Sequence, residues 1–142
     1  MAEVSSPRAV DWTVLKAALG GAGVASMITA AAFGIDAQLH PSGGPLNFSG
    51  PPFVATVFLI SLAIGATVSL ISLSAAIAIF GGERLQAVNS PLAALIGAIA
   101  GLLLVWVAVG LALGDWRDFK TTAFGALYGA CVAGFWSHLV RR

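Results

Sequence analysis

Four apolar stretches dominate this chain, running from about 15 to 35, 53 to 80, 92 to 114 and 122 to 140, and none of their cores contains Asp, Glu, Lys or Arg. A helix needs roughly 20 apolar residues to cross the hydrocarbon layer of a bilayer, and each stretch has about that length. Inside lipid every backbone N–H and C=O must find its partner within the protein, which a helix achieves by itself. The fold class that follows is an all-α membrane protein, a four-transmembrane-helix bundle, with residues 1–142 as a single transmembrane domain and 36–52 as an extracytoplasmic loop. A soluble alternative fails on composition, since 58% of the residues are hydrophobic and 9% are charged, too few to hydrate a surface.

Lys and Arg in short loops resist translocation, so their distribution sets orientation. Threading four spans places Arg8, Lys16, Arg84, Arg141 and Arg142 on one side and Arg117 and Lys120 on the other, while 36–52 carries no Lys or Arg. Both termini are therefore expected in the cytoplasm, and the location expected is the cell membrane, the inner one in a Gram-negative host. The first stretch ends in Ala30, Ala31 and Ala32, which imitates a cleavage site, but its long leader carries Glu3 and Asp11 and the apolar run is nearer a full span than a secretory signal. Retention is the expectation.

Local punctuation agrees with four helices. Asp11 is a candidate cap for the first, Ser90 before Pro91 suits the start of the third, and Thr121 or Asp118 can cap the fourth. Gly34, the Gly81-Gly82 pair and Gly114 mark the ends of the first three. Trp12, Trp116 and Trp136 fall near span ends, as interfacial aromatics do, whereas Trp106 lies well inside the third span. The second stretch is longer than the bilayer is thick and must tilt, bend or project, with Gly65 the expected point of bending.

Several function classes find no support. A net charge of +1 offers no basic field for nucleic acid. Cys131 is the single cysteine, so neither an internal disulfide nor a cysteine-built metal cage is available. There is no carboxylate pair, no Ser beside a His base, no HExxH and no phosphate-cradling loop, so the chain is not expected to be an enzyme and no cofactor is expected. Asp36 and His40 could share a metal if the first helix continued outward by a turn, but two ligands without a third make no site. Coupled transporters and proton relays keep ionisable groups inside the membrane, and these spans hold none at depth.

What the spans do hold is small residues at four-residue spacing, the pattern that lets membrane helices approach closely. Ala18, Ala22, Ser26, Ala30 and Gly34 form one stripe; Gly97 and Gly101 form a GxxxG pair extended back to Ala93; Gly125, Gly129 and Ala133 form another. Gly97, Gly101, Gly125, Gly129, Ser26 and Ala22 are the candidate packing residues, either within the bundle or, above all at Gly97 and Gly101, against another subunit. The second span is the richest in hydroxyls, and Ser61, Ser69 and Ser72 are a candidate polar path. The competing reading is that such hydroxyls bond back to carbonyls a turn earlier. The 36–52 loop, with its Pro and Gly and an Asn47-Phe48-Ser49 acceptor pattern, is the place best suited to recognition. His138 and Trp136 beside Arg141 and Arg142 read as an anchor at the inner interface.

The leading functional expectation is a non-catalytic accessory or structural subunit that works through helix contacts, with the lipid bilayer and either a second copy or a larger membrane complex as partners. A small uncoupled channel or permease using the second span is the alternative. A phage-type pore former or immunity protein is the third.

Overall fold

The computed structural model describes residues 8–40, 50–114 and 119–141. The Asn47-Phe48-Ser49 pattern, Trp116, Arg117, Asp118 and Arg142 lie outside the described residues, as do the side chains of Arg8, Asp11, Glu83 and Lys120. Among the described residues the protein is all-helical, without strands, and four of its helices are long and apolar enough to cross a membrane. These are α1 (Arg8–Leu39), α2 (Pro51–Phe80), α4 (Ser90–Leu113) and α5 (Phe119–Val140), with a short α3 (Gly82–Gln86) between α2 and α4.

The helix ends depart from the expected punctuation at three places. Gly34 does not stop α1, which runs on through Leu39 and takes residues 36–39 out of the loop. Nothing between Ile35 and Leu39 forbids helix, and the chain reaches its breaker only at Pro41, whose ring disfavours helix in the residue before it. Asp11 lies inside α1, which already begins at Arg8. Ser90 is the first residue of α4, with Asn89 in the capping position, and its hydroxyl is turned to a neighbour instead. Gly81 and Gly114 do close α2 and α4, at φ of 81° and 68°, a conformation that a Cβ would strain, and each returns its N–H to a carbonyl four residues back.

The helices pack in the order α2, α1, α5, α4. Two antiparallel hairpins, α1 with α2 and α4 with α5, are thus joined across α1 and α5, and α4 packs extensively on α5 alone. The pairing explains where burial falls. In α1, Val14, Ala17, Ala18, Ala22, Ala25, Ser26, Thr29 and Ala30 are all buried, whereas α2 buries Ser69 and Leu73 and α4 buries Gly110. A helix flanked on two sides needs small residues on two faces, and α1 has them. Towards one end, Val14, Ala17, Leu73, Val132 and Trp136 form the apolar core, drawing α1, α2 and α5 together. Towards the other, the rings of Phe33 and Phe124 stack with centroids 5.6 Å apart, tying α1 to α5.

Candidate functional site

The closest helix approach joins α4 to α5. A Cβ added at Gly97 would meet the carbonyl of Gly129, and one added at Gly101 would meet the carbonyl of Gly125; the reverse substitutions at Gly125 and Gly129 meet the carbonyls of Gly101 and Gly97. Four glycines therefore face one another as a zipper in which backbone touches backbone. The GxxxG pair at Gly97 and Gly101 is engaged inside the chain, against Gly125 and Gly129 of α5.

Ala22 and Ser26 are completely buried in α1. One turn away, Gly21 lies against the α5 backbone, where an added Cβ would come within 2.5 Å of Val132 Cα. Ser26 reaches across to a residue that the sequence pattern did not single out, Tyr128, with 2.8 Å between Ser26 Oγ and Tyr128 Oη. Tyr128 Oη in turn donates to the carbonyl of Ser61 at 3.1 Å. The tyrosine ring fills the space left by the missing side chain of Gly65, since a Cβ there would run into the ring. Gly65, expected as a point of bending, thus serves as a socket within an uninterrupted α2. One phenol links α1, α2 and α5 near the middle of their lengths.

The three serines of the candidate polar path have different surroundings. Ser61 Oγ donates back to the carbonyl of Phe58 at 3.1 Å, Ser69 is buried, and Ser72 is half-buried. Elsewhere in α2, Thr56 and Thr67 return their hydroxyls to Pro52 and Ala63, each at 2.8 Å, and in α1 Thr29 does the same to Ala25 at 2.9 Å. A cleft of about 610 Å³ opens between α1 and α2 near the Gly50 end, with Met27, Ala30, Val54 and Phe58 among its apolar walls and Gln38 at the rim; Ser61, Ser69 and Ser72 do not line it.

At the opposite end, α5 is tied to the start of α4. Arg141 donates to the carbonyl of Val88 at 2.6 Å and to Asn89 Oδ1 at 3.2 Å, while Ser137 Oγ lies 3.1 Å from Ser90 Oγ and donates to Val88 at 3.3 Å. Arg141, expected as an interfacial anchor, here also closes a hairpin. Trp136 corrects the same expectation more sharply: it is 5% exposed and packed in the apolar core, and its indole N–H has no partner among the described residues. His138 remains exposed. The continuation of α1 brings Asp36 Oδ1 within 3.3 Å of His40 Nδ1, yet no third His, Cys, Asp or Glu joins them among the described residues.

The signal for Tyr128 was its isolation. It is the single tyrosine of the chain, placed in the middle of an apolar helix where a phenol must find a hydrogen-bonding partner. Comparison with known protein families, with curated proteins and with solved structures finds no match for this chain.

Proposed function

We propose that the four helices cross the cell membrane with both termini in the cytoplasm and that the protein is a non-catalytic accessory subunit acting through helix contacts. One observation carries this reading, the contrast between two exposed helix faces. The exposed side of α4 is built from Leu92, Leu95, Ile96, Ile99, Leu103 and Leu111, side chains that suit acyl chains. The exposed side of α2 also carries Leu59, Ile60, Ile64, Val68 and Ile71, but beside them Ala63, Thr67, Ser74 and Ala78 recur at positions that return to one face. Small and hydroxyl residues permit close backbone approach, and membrane helices use them where they meet other helices. The α2 face has that character, and no helix among the described residues covers it.

The test is affinity capture of the tagged protein from its native membrane after mild crosslinking. A larger membrane partner is expected, and its recovery should fall when Ala63 and Thr67 are replaced by Leu. Recovery of this chain alone, or of the same partner from the Leu variant at undiminished yield, would defeat the reading.

A further inference from the structure

We infer that Tyr128 is a positioning residue, a clamp whose hydrogen bonds run in one direction from α1 through α5 to α2 and set the rotation of α2 about its own axis. The direction follows from the groups involved. A carbonyl oxygen only accepts, so the phenol proton of Tyr128 goes to Ser61. The 2.8 Å contact between the two hydroxyls then requires Ser26 to donate and Tyr128 Oη to accept. Ser61's carbonyl also receives the helical N–H of Gly65, so the same turn of α2 supplies both the acceptor and the socket for the ring.

Turning α2 about its axis would break this fit in two ways at once. It would withdraw the Ser61 carbonyl from the phenol, and it would carry a side chain into the space that Gly65 leaves open for the ring. The face so held inward includes Ser61, Gly65, Ser69 and Leu73; the face held outward includes Ala63, Thr67, Ser74 and Ala78. The clamp thereby decides which side of α2 is available for contact. It stands on the geometry of this chain, whether or not α2 meets a partner.

The experiment uses the full chain. Because there is a single tyrosine, labelling tyrosine with carbon-13 at the ring carbon bearing the hydroxyl yields one resonance, which responds to hydrogen bonding at the phenol. Ser26→Ala is expected to shift that resonance. In a Cys131→Ala background, Ser69→Cys reports on the inward face of α2, and Tyr128→Phe is expected to speed its labelling by a small apolar maleimide. Hydrogen bonds between membrane helices predict an increase of about 3-fold to about 18-fold. A resonance unmoved by Ser26→Ala overturns the bond between Ser26 and the phenol and with it the link from α1, and an unchanged labelling rate in Tyr128→Phe overturns the clamp. Should Tyr128→Phe fail to fold, the Ser26→Ala spectrum decides. Capture of this chain alone, with the tyrosine resonance shifted by Ser26→Ala and the labelling rate raised by Tyr128→Phe, would count against the proposed function and leave the clamp standing.

Discussion

The glycine zipper between α4 and α5 and the tyrosine clamp among α1, α2 and α5 hold helices together by opposite means. In the zipper, side chains are absent and carbonyls press against the facing backbone. In the clamp, one large side chain bridges a wider gap and is received by a glycine on the far side. The first depends on many weak contacts that require closeness. The second depends on a few directed bonds, whose net worth between membrane helices is modest because the separated helices find other partners. The zipper is therefore the more sensitive to added volume and the clamp the more sensitive to changed chemistry.

The largest effect should come from adding a methyl group to the zipper. Gly97→Ala or Gly129→Ala places a Cβ against a backbone carbonyl that cannot swing away, so each should destabilise the protein by about 1–3 kcal/mol in detergent unfolding measurements. That is the reverse of the ~1 kcal/mol gain that helix propensity alone would give. An unchanged or raised midpoint would show that α4 and α5 sit farther apart than described.

Gly65→Ala should be milder, about 1 kcal/mol, because the obstacle is an aromatic ring that can shift at the cost of its hydrogen bonds. Its signature is that Gly65→Ala and Tyr128→Phe together should cost less than the sum of the two alone, and strict additivity would separate the socket from the phenol. Tyr128→Phe by itself should cost about 0.6–1.7 kcal/mol. Arg141→Ala, which loosens the exposed tie between α5 and the start of α4, should cost less than about 1 kcal/mol and should simply add to the cost of a zipper substitution elsewhere in that hairpin, because the two share no partner. The smallest expected change is a gain. A Cβ added at Gly23 would meet nothing within 4 Å, so Gly23→Ala should stabilise α1 by up to about 1 kcal/mol, and a loss there would reveal a further contact on that face.

The zipper was legible in the sequence because it repeats. Gly97 and Gly101 against Gly125 and Gly129 give the same spacing on two spans, a pattern that close packing requires. What the pattern could not say was which stripes meet. Stripes occur on all four spans, so the α2–α1–α5–α4 order was hidden among several equivalent pairings. A weaker signal did exist: α1 and α5, flanked on two sides, have lower mean hydropathy than α2 and α4, which each pack extensively on one long helix. The clamp escaped notice because nothing about it repeats. Tyr128 lies far along the chain from Ser26 and Ser61, and only the fold brings the three together. Trp136 was misplaced for a related reason, since a tryptophan near a helix end reads as an interfacial residue until a neighbouring helix is known to cover it.

Under the proposed crossing of the membrane, the unequal lengths of the two hairpins bear on the bilayer itself. At about 1.5 Å per residue, the 32 residues of α1 and 30 of α2 extend about 48 and 45 Å, against about 36 and 33 Å for the 24 of α4 and 22 of α5. All of α2 is uncharged, so a hydrocarbon layer about 30 Å thick leaves it with the greater surplus to accommodate by leaning or by thickening nearby lipid. Thin bilayers would burden α2 first, while thick ones would favour it and begin to stretch the fit of α5. A single chain thus confronts its surroundings with two preferred thicknesses, and the lipid composition used for reconstitution becomes an experimental variable in its own right.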